Sequence, residues 1–190
     1  MGIVNGVPRR KSLRLTTYDY EKPGYYFVTI CIRERERNTL SSITFPGGAS
    51  VGAIINRPSP GVFRTSSQPF PEITLTPWGI VVERAIHEIP LHYPRVAVDL
   101  YVIMPDHVHM ILGPAVAEDG RQVAAPTAKL STVVQQFKRA VSSAVGESIW
   151  QKGYYEHVIR NDEDLQNTRQ YIQNNPLQWL LNLNQDVPAP

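Results

Sequence analysis

The stretch Met104-Pro105-Asp106-His107-Val108-His109-Met110-Ile111-Leu112 decides how the rest of the chain reads. Side chains alternate across a strand, so two histidines one residue apart in an apolar run present both imidazoles on one face of a sheet. Their ring nitrogens then converge on one point, where a divalent metal can sit. The same spacing also suits two hydrogen-bonded structural histidines, the commoner use of such a pair. Pro105-Asp106 is a turn signal after Val98-Asp99-Leu100-Tyr101-Val102-Ile103, so the pair opens the second arm of a hairpin.

Working outward, Tyr25-Tyr26-Phe27-Val28-Thr29-Ile30-Cys31-Ile32 is rich in aromatic and β-branched residues and nearly continuous in hydrophobicity. It predicts a central strand buried on both faces, with Cys31 as a small buried hydrophobe. Glu72-Ile73-Thr74-Leu75 reads as a short returning strand, then Thr76 as N-cap with Pro77 at the first helical position. That helix carries Ile80, Val81, Arg84, Ala85 and Ile89 and is expected to end before Pro90, with His92 in the loop beyond. His87 and His92 are further histidines for which surface or loop roles are the expectation.

A second helix spans about residues 128–146, with Leu130, Val133, Val134, Phe137, Val141 and Val145 on one stripe. Residues 150–160 hold the last strand. Asn161 then caps a third helix whose first turn, Asp162-Glu163-Asp164, sets acids at the positive end of the dipole. This helix is expected to stop before or near Pro176, with Trp179, Leu180 and Leu183 packing back as a short extra segment. The order is that of an α+β ferredoxin-like sandwich, an antiparallel sheet with helices on one face plus a C-terminal helix.

The 190 residues suit a single domain, read as residues 24–180. A basic arm, residues 1–23, precedes it and a frayed tail, residues 181–190, follows. Pro, Gly and Ser dominate about residues 41–71, read as an insertion within a hairpin, because too little chain precedes it to own a core. Hydrophobic content of 42% and charge of 19% are globular values, and a net charge of +2 does not by itself announce a nucleic-acid partner. Arg9, Arg10, Lys11 and Arg14 nevertheless crowd the N-terminus, and Arg33, Arg35 and Arg37 follow the first strand. Either cluster suits a phosphate backbone or a solvated surface. The single cysteine cannot form an internal disulfide, no apolar run is long enough for a bilayer, and the N-terminus lacks a signal-peptide core. A cytoplasmic protein without a membrane partner is the expectation.

Tyr171 stands four residues before Asn175 on the third helix, so both side chains face one way. A helix laid on the sheet would bring Tyr171 beside the histidines. A phenol with its ordinary pKa near 10 is a poor nucleophile unless its surroundings assist it. A metal on two imidazoles would polarise a phosphate toward attack by that oxygen. The plain alternative is a helix tyrosine packed on the sheet with its hydroxyl at the rim.

Several motifs in order, Tyr18-Asp19-Tyr20, Gly24-Tyr25-Tyr26-Phe27-Val28-Thr29-Ile30, the His107 stretch, Phe137-Lys138, Tyr154-Tyr155-Glu156-His157-Val158-Ile159-Arg160 and Tyr171-Ile172-x-x-Asn175-Pro176-x-x-Trp179, resemble the REP-associated tyrosine transposases. These are single-tyrosine transposases of the HUH superfamily. The resemblance implies the ferredoxin-like fold and a divalent ion, magnesium or manganese. It also implies cleavage and transfer of single-stranded DNA at palindromic hairpins through a 5′-phosphotyrosine. Carried over by position, His107 and His109 match the metal ligands and Tyr171 the nucleophile. Asn175 stands where relatives supply a third polar ligand, or else caps the helix before Pro176. Arg9, Arg10, Lys11 and Arg14 look like the DNA-contacting arm, and Tyr18 and Tyr20 are candidates for stacking on unpaired bases. The insertion departs from the pattern. A non-cleaving hairpin-DNA binder is the alternative. A water-using metal hydrolase is disfavoured for want of a further carboxylate or histidine motif. One copy or a homodimer are both open.

Overall fold

Tyr25–Cys31 lies in the middle of a sheet because its side chains are wanted on both sides. The computed structural model of the chain describes residues 3–4, 7–8, 24–34, 39–48, 70–115 and 129–185. The elements are β1 (Ile3–Val4), β2 (Val7–Pro8), β3 (Tyr25–Cys31), β4 (Ser41–Thr44), β5 (Glu72–Leu75), α1 (Pro77–His92), β6 (Val96–Ile103), β7 (His107–Pro114), α2 (Leu130–Val145), β8 (Tyr155–Ile159) and α3 (Asp162–Gln185). The main sheet runs β6-β7-β3-β8, every neighbouring pair antiparallel. This is the α+β ferredoxin-like arrangement, with β4 and β5 set apart as a two-stranded ribbon.

Alternation along the strands divides the interior in two. Tyr26, Val28, Ile30, Val108, Met110 and Leu112 pack with Val82, Ile86 and Ile89 of α1 and Val133, Val134, Phe137 and Val141 of α2. Phe27, Ile111, Val102 and Ile159 face the other way, against Leu165, Ile172 and Leu180 of α3. Two helices therefore cover one face, and the C-terminal helix covers part of the opposite face.

Two helix ends differ from the sequence reading. The first helix does not stop before Pro90 but runs through it to His92, closed by the Tyr93 N–H on the Ile89 carbonyl at 2.9 Å. So late in a helix, proline forfeits one bond, to Ile86, and the last turn survives. Likewise α3 does not stop near Pro176 but continues to Gln185, taking Trp179, Leu180 and Leu183 into one helix. An interior proline costs about 3 kcal/mol. Leu180 is buried beyond it, with Leu177, Trp179 and Leu181 packed alongside, and burying one leucine alone returns about 1.5–3 kcal/mol.

The other helix signals behave as read. Thr76 Oγ1 accepts the Gly79 N–H at 3.1 Å, Asn161 Oδ1 accepts the Asp164 N–H at 2.8 Å, and Gly146 closes α2 at φ +88°. Arg169 of α3 forks onto both carboxylate oxygens of Asp99, which sits at an irregularity of β6 between Val98 and Leu100. That bidentate pair pins the helix across the sheet.

The insertion begins later than residue 41, since Ser41–Thr44 pairs with Glu72–Leu75. Residues 49–69 within it, residues 9–23 with Arg9, Arg10, Lys11, Arg14, Tyr18 and Tyr20, Arg35 and Arg37, and the tail 186–190 lie outside the described residues. Among the described residues no helix is long and apolar enough to cross a membrane.

Candidate active site

The turn that starts β7 is held from three sides. The Ile32 N–H donates to the Asp106 carbonyl (2.9 Å), the Leu40 N–H to the Pro105 carbonyl (3.0 Å), and the Ser41 hydroxyl to the Ile103 carbonyl (2.8 Å). Within the turn the Met104 N–H donates to the His107 carbonyl at 2.9 Å. This fixes the position at which the alternation of β7 begins, and with it the face that receives His107 and His109.

Both histidines are buried polar residues. Their Nε2 atoms stand 2.9 Å apart, so one of the two nitrogens carries a lone pair toward the other. Asp106, 3% exposed, accepts a hydrogen bond from His107 Nδ1 at 2.5 Å. That bond keeps the proton on Nδ1 and turns the Nε2 lone pair into the cleft. Thr29 Oγ1 lies 2.8 Å from His109 Nδ1, a hydrogen bond that fixes the orientation of the second ring. Burial, followed by the neighbouring His107, pushes the His109 imidazole down to about 3, against a smaller opposing pull from Asp106. His109 is neutral at physiological pH and has a lone pair to offer.

Tyr171 projects from α3 over this pair. Its ring centroid is 5.3 Å from that of His109 and 5.7 Å from Phe27, edge-on to both, and the residue is 51% exposed. Ile172, the next residue, is buried and anchors the helix at this point. From Tyr171 a polar stripe continues at helical spacing through Asn175, Gln178 and Asn182, and with Thr29, Cys31, His107, His109 and Trp179 it lines a cleft of about 680 Å³. Trp179 closes the His107 side at a ring separation of 6.2 Å.

The two Nε2 atoms are spaced as two ligands at right angles on one ion would be, given bonds of about 2.1 Å. Among the described residues no group of three His, Cys, Asp or Glu side chains gathers to hold a metal. Asn175 lines the same cleft as the two histidines. The two imidazole nitrogens fit a divalent ion as ligands.

The structure thus brings His107, His109, Tyr171 and Asn175 together. Because α3 continues past Pro176, Asn175 is not a helix cap. Cys31 is not the buried small hydrophobe expected mid-strand but is partly exposed, on the cleft side of β3. His87 is elsewhere, on α1 with its Nε2 3.0 Å from the Tyr101 hydroxyl, and His92 is the last residue of α1 rather than a loop residue. Sequence reasoning passed over Thr29 and took Asp106 only as a turn residue. Thr29 is the one threonine in an otherwise apolar strand, and Asp106 directly precedes a candidate ligand, which were the available signals.

Comparison with known proteins adds four findings. A family model described as "Transposase IS200 like" matches residues 76–175, from the N-cap of α1 to Asn175. The chain is 29% identical over 191 residues to an uncharacterized protein of Haemophilus influenzae, covering 92% of each. It is 26% identical over 165 residues to a second protein of that organism, provisionally named a REP-associated tyrosine transposase, covering 84% of this chain and 73% of the relative. Among solved structures, that of a REP-associated tyrosine transposase bound to a REP hairpin superposes with a TM-score of 0.53 at 20% identity, over 87% of this chain and 74% of that one. The last is a likeness of fold.

Proposed function

Because the chain belongs to the IS200-like transposase family, we propose that it cleaves and rejoins single-stranded DNA at palindromic, REP-like hairpins through a 5′-phosphotyrosine, with a divalent ion bound. The observation that carries this reading is the convergence of two ring nitrogens 2.9 Å apart and a half-exposed tyrosine whose ring lies 5.3 Å from one of them. A hairpin as partner is supported by the solved relative bound to one and by the second Haemophilus relative.

In this reading His107, His109 and the Asn175 amide hold magnesium or manganese. Once bound, the ion would draw charge from the scissile phosphate and make phosphorus a better electrophile. The chain supplies the rest. Asp106 and Thr29 keep the two imidazoles turned toward the cleft, so the ligands are set before substrate arrives. Phe27 and Ile172 fix the Tyr171 ring above them.

Tyr171 Oη attacks phosphorus and gives up its phenolic proton, the bond from phosphorus to the 3′-oxygen breaks, and that oxygen leaves as a free 3′-hydroxyl after taking a proton. Attack by a 3′-hydroxyl on the phosphotyrosine reverses these bond changes, restores a phosphodiester and frees Tyr171. The four side chains His107, His109, Asn175 and Tyr171 meet within one chain, so one copy is taken as sufficient for chemistry. Arg9, Arg10, Lys11 and Arg14 are proposed as phosphate contacts.

The test is incubation of end-labelled single-stranded DNA, drawn from palindromic repeats flanking the gene, with protein and magnesium or manganese. A denaturation-resistant adduct that needs both the ion and Tyr171, and is lost in Tyr171→Phe, is the expected result. Tight hairpin binding without an adduct under either ion would refute cleavage and leave a hairpin-binding protein.

A further inference from the structure

Helix α3 lies over β6 and β7 and leaves part of the same sheet face uncovered beside Tyr171. Tyr155, on β8 at the edge of the sheet, occupies that open part and is 51% exposed, as Tyr171 is. The strand register shows where it stands. Thr29 of β3 pairs with Tyr155 on one side and with His109 on the other, so Tyr155, Thr29 and His109 form one row across three strands. Adjacent strands are about 4.8 Å apart, which puts Tyr155 roughly 10 Å from His109 along the row. A single strand that runs along this row from the histidine pair passes over Tyr155.

The aromatic contacts repeat this layout. Phe27 is the hub: it stacks on His109 at 5.2 Å, with Tyr171 edge-on at 5.7 Å and Tyr155 edge-on at 6.4 Å. Phe27 itself is buried, as is His109, so of these four rings the two tyrosines are the exposed ones. If Tyr171 is the nucleophile, its hydroxyl is committed to the phosphate, and Tyr155 is left with a free aromatic surface and no part in the chemistry.

Resting on the cleavage reading above, we propose that Tyr155 is a positioning residue on which an unpaired base next to the scissile phosphate stacks. Stacking is sequence-tolerant because every base has a π-face, and it holds the strand without drawing on the ligands. Lys152, three residues earlier, and Arg160, one residue beyond β8, are exposed and suit contact with a phosphate backbone.

The test uses the full-length protein and single-stranded hairpin DNA with 2-aminopurine placed in turn at each unpaired position beside the stem, in chelator so that no cleavage occurs. Wild type is expected to quench one position, Tyr155→Ala to lose that quench and bind about tenfold or more weakly, and Tyr155→Phe or Tyr155→Trp to keep both. With the ion restored, Tyr155→Ala should raise KM far more than it lowers kcat. Thermal unfolding of Tyr155→Ala should stay near wild type, since the side chain is half exposed. A quench that is absent in wild type or unchanged in Tyr155→Ala overturns the proposal. The cleavage reading is judged separately by the adduct of Tyr171→Phe, because stacking is read without chemistry.

Discussion

Asp106→Asn separates the orientation of His107 from its presence. Asparagine keeps the shape of the buried side chain, and its amide oxygen can still accept the His107 Nδ1 proton at the present 2.5 Å contact. What goes is the charge. Hydrogen bonds to a charged group are worth about 1.5–3 kcal/mol and are roughly twice as strong as neutral ones, so the substitution removes about 0.8–1.5 kcal/mol from the bond. His107 also loses the carboxylate that fixes its ring orientation. Substituted outer partners of metal-binding histidines typically cost 10–100-fold in affinity. A loss near tenfold, about 1.4 kcal/mol, is expected at the low end of that range because an acceptor remains.

The assay is manganese titration by calorimetry, with metal-free thermal unfolding as the control for folding. Asp106→Ala, which leaves no acceptor, should lose more than Asp106→Asn. Manganese affinity unchanged in both variants would refute the role given to Asp106, and with it the view that the pair is held ready to bind an ion.

Three further outcomes are expected. Gly79→Ala should cost about 1–3 kcal/mol in urea unfolding, because its Cβ would land on the Leu40 carbonyl oxygen, which is backbone and cannot rotate away. Ile172→Ala should lose about 2–5 kcal/mol by emptying the buried site under α3, and adduct formation should fall as the Tyr171 mount loosens; stability equal to wild type would mean α3 is not packed as described. Activity removed by a chelator should return at lower manganese than magnesium concentrations, since imidazole nitrogen suits manganese better than it suits magnesium; equal midpoints would argue against a two-histidine ligand set.

The histidine pair was legible because two-residue alternation is a local rule, and β7 obeys it from His107 onward. The two capping signals, Thr76 and Asn161, were legible for the same reason. What resisted reading depends on distant parts of the chain. Pro90 and Pro176 are strong local stop signals, and only packing such as that of Leu180 overrides the second. The face taken by α3 follows from the turn after β8 and from Arg169 meeting Asp99, seventy positions earlier, which no periodicity reveals. Cys31 was misplaced because an apolar strand does not declare which of its faces is left partly open. Thr29 gains meaning only once β3 is known to pair with β7 in the register that sets it opposite His109.

That the sheet has a separate interior on each face has a consequence for safety. A slip of β7 by one position would hand Val108, Met110 and Leu112 to the cleft and drive both histidines into the apolar layer under α1 and α2. Such a molecule would lose its core and its histidine pair in one stroke. The fold therefore works as an interlock, in which a chain that has not reached the correct register has no assembled cleft.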